Sequence, residues 1–122
     1  MQRDEIHTDG SFNNQTDQGG WAAVIVRAGS GQQTGGSSYE MELRAVVEAV
    51  KLAEGPCTIV SDHWGIISAA QQGKIPARCK SLWEEMYAAA ADKDIQFEWH
   101  KRGQALGSRL AHQLARDAAK RR

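Results

Sequence analysis

Residues 5–11, Glu-Ile-His-Thr-Asp-Gly-Ser, place an aspartate at the end of a short segment that is typical of a β-strand. This segment predicts a strand over residues 5–9 that ends at Gly10. Residues 20–27, Gly-Trp-Ala-Ala-Val-Ile-Val-Arg, predict a second, buried strand, joined to the first by a loop rich in Gly, Asn and Gln. An aspartate at a strand end lies where α/β sheets usually form ligand sites.

The remaining segments predict strands that alternate with helices. Residues 29–37 are poor in apolar side chains and favour a third strand that returns antiparallel to the second. Further strands are expected over residues 57–61 and 95–99, and helices over residues 40–54, 64–72, 79–92 and 108–120. This order predicts one α/β domain over residues 1–122, with a mixed five-stranded sheet whose first three strands are antiparallel and which helices flank.

Three acidic residues occupy positions suited to a metal site. Asp9 and Asp62 each lie at the C-terminal end of a predicted strand, and Glu42 lies on a helix stripe that is otherwise apolar. A charge near an inward face needs a partner. Two-metal phosphodiesterases need several such ligands around a gap of about 4 Å.

Each of these residues also has a purely structural interpretation. Asp9 followed by Gly10 is typical of a turn. Glu42 would stabilise the start of its helix through the helix dipole. Asp62 would serve as the N-cap of the helix that follows it.

The motifs taken together resemble the type 1 ribonuclease H family. Asp-Gly-Ser at residues 9–11, Glu-Leu-x-Ala at residues 42–45 and Ser-Asp at residues 61–62 occur in the family's order and approximate spacing. Residues 19–24, 82–83 and 97–99 resemble its second strand, a later helix and its fifth strand. The resemblance implies a ribonuclease H-like fold, here lacking the family's extra basic helix. It also implies an endoribonuclease that hydrolyses the RNA strand of RNA/DNA hybrids with two divalent ions, Mg²⁺ or Mn²⁺, and leaves 5′-phosphate and 3′-hydroxyl ends.

One position departs from the family pattern. The last helix of the family presents an Asp followed by x-Leu-Ala, whereas His112 stands there, followed by Gln-Leu-Ala. A neutral imidazole still binds divalent ions. We therefore predict that the catalytic and metal-binding residues are Asp9, Glu42, Asp62 and His112, and that the nitrogen ligand favours Mn²⁺ over Mg²⁺. Alternatively, His112 is an exposed helix residue in a protein that has lost a ligand.

The resemblance also suggests substrate contacts. Residues that match positions where the family touches its hybrid would bind RNA 2′-hydroxyls, namely Gly10, Ser11, Phe12, Asn13, Ser38 and Tyr39. Many bacterial members carry a Gly-His before the last helix that assists product release, and here Gln104 stands near that His position. The Trp residues are expected in the core, with Trp64 partly exposed.

Charge and composition bear on the binding partners and the cellular location of the protein. The chain carries no net charge, yet residues 95–122 carry a net charge of +5, so this end could meet phosphates. The polar start and the lack of a long apolar run predict a cytoplasmic protein that has no membrane partner. The sequence implies no obligate protein partner. Two other functions stay open: a catalytically impaired module that binds hybrid, and a nuclease of the same fold that acts on another nucleic acid.

Overall fold

The computed structural model describes residues 4–24, 28–34, 36–101 and 106–120. Every predicted strand and helix is present, and residues 25–27 of the second predicted strand lie outside the described ranges. The elements follow in the order β1 (Asp4–Asn13), β2 (Gln18–Val24), β3 (Ala28–Thr34), α1 (Ser38–Leu52), β4 (Cys57–Ser61), α2 (Trp64–Gln71), α3 (Lys80–Ala90), β5 (Ile95–Trp99) and α4 (Leu106–Lys120).

The strands form one mixed sheet in the order β3-β2-β1-β4-β5. The pairs β1–β2 and β2–β3 are antiparallel, and the pairs β1–β4 and β4–β5 are parallel. The predicted five-stranded sheet with three antiparallel strands first is therefore confirmed. β1 is the central strand and joins the antiparallel half of the sheet, through β2, to the parallel half, through β4.

The prediction that the first strand ends at Gly10 is wrong. β1 continues to Asn13, with Asp9 opposite Ala22 and Gly10 opposite Trp21 on β2. Gly10 instead allows α1 to approach the strand, because a Cβ atom there would lie 2.2 Å from the carbonyl carbon of Met41. The glycine therefore serves helix packing rather than a turn.

Helices cover both faces of the sheet. The main core lies under α1 and α3 and contains Ile6, Ala23 and Trp83 among its buried residues. The neighbouring residue Ala22 points to the opposite face, where it packs against Ala111 and Ala115 of α4. The small side chains at that contact allow the backbone of α4 to lie close to β2.

The ends of α1 carry residues that are typical of helix ends. The Oγ atom of Ser37 accepts a hydrogen bond from the backbone N–H of Glu40 at 3.2 Å, so Ser37 is the N-cap. Gly55 and Pro56 follow the helix before β4 begins. Between Asp62 and Trp83, a segment that is described throughout, α2 is followed by a loop and the start of α3. The family's extra basic helix is thus absent from this segment, as predicted.

The predicted exposure of Trp64 agrees with the structure, whereas the prediction that Trp99 lies in the core is wrong. Trp83 is fully buried and Trp21 is half-buried, whereas Trp64 is 61% exposed and Trp99 is 42% exposed. Trp99 ends β5, which lies at the edge of the sheet, so little packs over it. Across the part of the chain that the structure describes, no helix is long and apolar enough to cross a membrane.

Candidate metal centre

Asp9 on β1 and Asp62, directly after β4, lie just beyond the point where these two neighbouring strands stop pairing with each other. The parallel register of β1 with β4 ends at His7 opposite Val60, and Asp9 lies two residues further along β1. Asp62 is the first residue after β4. Both side chains therefore emerge at the same edge of the central strand pair. Asp9 lies within a strand rather than in a turn, and the N-cap of α2 is His63, so the structural interpretations of Asp9 and Asp62 are wrong.

Glu42 reaches the same edge from the first turns of α1. The close approach of α1 to Gly10 brings the Glu42 backbone nitrogen to 2.3 Å from the position a Cβ atom of residue 10 would take. The backbone N–H of Gly10 also donates a hydrogen bond to the Glu42 carboxylate. Gly10 thus both admits the helix and orients the side chain.

The three carboxylates form a compact acidic cluster. Asp9, Glu42 and Asp62 each offer an oxygen atom, and these atoms all lie within 4.8 Å of one another. Asp9 is 2% exposed and Glu42 is 6% exposed, while Asp62 is half-buried. Three acidic groups this close and this buried repel one another and lose hydration.

Two oxygen atoms of this cluster are available to a ligand. Oδ1 of Asp9 and Oε2 of Glu42 are buried and accept no hydrogen bond from the described residues. A buried carboxylate oxygen without a partner is unfavourable. A hard divalent cation that prefers oxygen ligands would satisfy both atoms and offset the negative charge, so the donor set fits such an ion.

The proton is the alternative partner of this cluster. Burial, followed by the charge of Asp9 and a hydrogen bond with it, raises the pKa of the Glu42 carboxyl well above its usual range. Asp62 adds to the rise, and the hydrogen bond from Gly10 opposes it. Glu42 therefore holds a proton more readily in the metal-free protein than an exposed glutamate does.

His112 lies beside the cluster on α4. Its Nδ1 atom contacts Oδ2 of Asp9, and its side chain is 33% exposed. Packing of Ala111 and Ala115 against Ala22 fixes the face of α4 that carries it. His112 is thus not simply an exposed helix residue, although its contact is with Asp9 rather than with all three carboxylates.

The predicted substrate-contacting residues divide between two places. Ser11, Phe12 and Asn13 follow Gly10 along β1 and line a cavity of about 440 Å³, to which α4 contributes Arg116 and Ala119. Ser38 is exposed at the first residue of α1.

Tyr39 belongs to a contact that sequence patterns did not indicate. The Tyr39 hydroxyl accepts a hydrogen bond from Trp83 Nε1 at 3.0 Å, and the Arg78 guanidinium lies 4.3 Å from the centre of the Tyr39 ring. Arg78 stands in a loop without a recognisable motif, so only the fold places it near the start of α1. Gln104 lies outside the described residues.

Comparison with known proteins identifies the family. A family model described as RNase H matches residues 1–120. The chain belongs to the RNase H family. It is 30% identical to ribonuclease H of Thermoanaerobacter sp. (strain X514), over 96% of this chain and 90% of that protein. It is 32% identical to ribonuclease H of Zymomonas mobilis subsp. mobilis, over 93% of this chain and 86% of that protein. Ribonuclease H of Caldanaerobacter subterraneus subsp. tengcongensis is 30% identical, over 80% of this chain and 76% of its own length.

Membership of the RNase H family establishes the class of enzyme. The chain is a hydrolase that cuts nucleic acid, and its family depends on divalent metal ions. The acidic cluster of Asp9, Glu42 and Asp62 is where such an ion fits.

Proposed function

We propose that the chain is an endoribonuclease that hydrolyses the RNA strand of RNA/DNA hybrids and leaves 5′-phosphate and 3′-hydroxyl ends. The observation that carries the proposal is the convergence of Asp9, Glu42 and Asp62, with two buried oxygen atoms that the described residues leave without a hydrogen bond. Family membership supports the nuclease class, and the likeness to proteins named ribonuclease H supports the substrate.

Asp9, Glu42, Asp62 and His112 would hold two divalent ions. When bound, such ions activate water and stabilise the leaving oxygen of a phosphodiester. Asp9 and Asp62 would contribute to both ions because they stand side by side at the sheet edge. Glu42 would hold the ion on the product side. His112 would complete the water-activating side through its position beside Oδ2 of Asp9.

Metal preference follows from the donor set. A histidine in place of the family's fourth acid removes one negative charge and supplies nitrogen. Nitrogen ligands suit Mn²⁺ better than Mg²⁺. We therefore propose that both ions support activity and that Mn²⁺ does so at lower concentration.

The proposed contacts to the hybrid fall in two groups. In the first group, Gly10, Ser11, Phe12 and Asn13 line or border the cavity beside Arg116. In the second group, Ser38 and Tyr39 open α1. Hydroxyl and amide groups at these places would bind 2′-hydroxyls, which only the RNA strand offers. In this proposal residues 1–122 act as one domain.

A substrate panel tests this proposal. We would incubate the protein with an RNA/DNA hybrid, double-stranded RNA, duplex DNA and single-stranded RNA of the same sequence, in Mg²⁺ and in Mn²⁺. Cutting confined to the hybrid is expected. Preferential cutting of another duplex would show that this duplex, and not the hybrid, is the substrate. Failure to cut any substrate in either metal would favour a hybrid-binding module.

A further inference from the structure

Asp62 lies outside the strand that leads to it, yet its backbone is held on both sides. On the preceding side, the carbonyl of Ser61 accepts a hydrogen bond from the backbone N–H of His100 at 3.0 Å. On the following side, the carbonyl of Asp62 accepts a hydrogen bond from Nε1 of Trp99, also at 3.0 Å. Two consecutive residues at the end of β5 therefore hold the two peptide groups that flank the Asp62 Cα atom.

The second of these peptide groups is held at both of its polar atoms. Its carbonyl is bound by Trp99, and its N–H, which belongs to His63, donates to Oγ of Ser61 at 3.1 Å. The planes of the two flanking peptides set φ and ψ of Asp62. With both planes fixed, the direction in which the Asp62 carboxylate leaves the backbone is fixed as well.

Core packing alone does not account for Trp99. Its side chain ends an edge strand and remains 42% exposed, and it meets Trp64, itself 61% exposed, edge to face at a ring distance of 5.9 Å. An indole in such a place buries much less apolar surface than one in the core. Its N–H group, by contrast, reaches a backbone atom of a residue in the acidic cluster.

We infer that Trp99 is a positioning residue for Asp62: its indole N–H fixes the Asp62–His63 peptide and so holds the Asp62 carboxylate ready for a divalent ion. The inference rests on the proposed role of Asp62 as a metal ligand. It assigns to an exposed aromatic residue a function that hydrophobic burial would not provide. Groups that orient metal ligands typically contribute to metal affinity without touching the ion.

Calorimetric titration with Mn²⁺ tests the inference without relying on catalysis. Trp99→Phe keeps an aromatic ring but removes the N–H donor. Trp64→Phe is the matched control because Trp64 takes part in the same aromatic contact, whereas the indole hydrogen bond to the Asp62 carbonyl comes from Trp99. We expect Trp99→Phe to bind Mn²⁺ roughly threefold to tenfold more weakly than wild type, as the loss of one hydrogen bond implies. Trp64→Phe should bind within about twofold of wild type.

Two further measurements separate positioning from a general loss of structure. Circular dichroism should show both variants folded at the titration temperature, and saturating Mn²⁺ should restore kcat of Trp99→Phe towards the wild-type value. Ser61→Ala removes the hydrogen bond at the other end of the same peptide and should weaken Mn²⁺ binding in the same direction. This variant decides the question should Trp99→Phe fail to fold.

The outcomes distinguish this inference from the function on which it rests. Wild type that binds Mn²⁺, with Trp99→Phe and Ser61→Ala that bind it equally well, would overturn the positioning role alone. Wild type that binds neither Mn²⁺ nor Mg²⁺ would overturn the proposed metal centre and the positioning role together.

Discussion

At the scale of single residues, the acidic cluster sets protons and divalent ions in competition. Glu42 and Asp9 are both buried, and each has an oxygen atom that no described group satisfies. In the metal-free protein, burial of the carboxyl and then the charge of Asp9 raise the pKa of Glu42, so a proton on Glu42 removes a buried charge and relieves the repulsion. A divalent ion relieves it at higher pH, where the proton is lost.

Glu42→Gln should stabilise the metal-free protein at neutral and higher pH, by about 1 kcal/mol, because it removes a buried charge. The raised pKa of Glu42 means that the folded state binds the proton more tightly than the unfolded state. The stability that the protonated Glu42 carboxyl contributes is therefore fully present below the ordinary glutamate pKa, and it is lost as pH rises through the raised pKa. Thermal unfolding in a chelator between pH 4.5 and 8 should show this loss in wild type and a flatter profile in the variant.

The same pair of proteins supplies a control. Added Mn²⁺ should raise the unfolding temperature of wild type much more than that of Glu42→Gln, since ligand binding to the folded state stabilises it. Equal metal-dependent stabilisation of both proteins would contradict a role for Glu42 in holding the ion.

Substitutions at His112 test the unusual fourth position. His112→Asp restores the family's carboxylate and should retain or raise activity in Mg²⁺, whereas His112→Ala should reduce activity at least about tenfold in either metal. Wild type should reach half-maximal activity at a lower concentration of Mn²⁺ than of Mg²⁺. Identical Mg²⁺ and Mn²⁺ titration curves for wild type, or full activity in His112→Ala, would remove His112 from the site.

At the scale of elements, glycines determine how closely the helices approach the sheet. Gly10 admits α1, and Gly20 admits α4, where a Cβ atom would lie 2.3 Å from the carbonyl oxygen of Ala115. The sequence predicted the strand and the helices but assigned Gly10 to a strand end. A glycine that ends a strand and one that lies under a helix look alike in a sequence, because only the packed structure supplies the neighbouring backbone.

Gly10→Ala should therefore destabilise the protein by about 1–3 kcal/mol and weaken metal binding, since its Cβ atom would displace the start of α1 and Glu42 with it. Gly55→Ala is the matched control, because among the described residues no atom beyond Gly55 and its two chain neighbours lies within 4 Å of the Cβ position there. Urea unfolding of the control should agree with wild type within about 0.5 kcal/mol. Equal stability of the two variants would show that α1 does not depend on the close approach.

The start of α2 should respond to pH through His63. Its Nδ1 atom accepts a hydrogen bond from the backbone N–H of Ile66 at 3.1 Å, which requires a ring nitrogen without a proton. Burial lowers the pKa of His63 and outweighs a hydrogen bond with its own backbone and the charge of Asp62, which both raise it; the charge of Arg78 lowers it slightly further. The cap therefore contributes fully above the ordinary histidine pKa of about 6.5 and is lost as pH falls through the lowered value.

Two substitutions separate capping from other effects of His63. His63→Ala should cost about 1 kcal/mol at pH 8, whereas His63→Asn should retain a cap that does not titrate. As pH falls from 8 to 5, the free energy of unfolding of His63→Asn should therefore rise relative to that of wild type. A difference that stays constant over this range would contradict the role of the neutral imidazole.

At the scale of the whole molecule, the sequence predicted the sheet and the acidic cluster because both rest on local signals. Apolar or alternating segments mark β2, β4 and β5, and Asp9, Glu42 and Asp62 keep a recognisable order. The sequence failed where a property depends on position in the finished sheet. Trp99 is exposed because β5 is an edge strand, and Arg78 reaches Tyr39 only because the loop before α3 returns to the start of α1.

Cleavage of a hybrid whose RNA and DNA strands carry different end labels tests the central claim most directly. Wild type and Asp9→Asn would be compared in Mg²⁺ and in Mn²⁺. Wild type should shorten the labelled RNA strand, leave the labelled DNA strand intact and produce 3′-hydroxyl ends. Asp9→Asn should leave both strands uncut. An intact RNA strand with wild type in both metals, or equal cutting by Asp9→Asn, would contradict a hybrid-specific nuclease built on the acidic cluster.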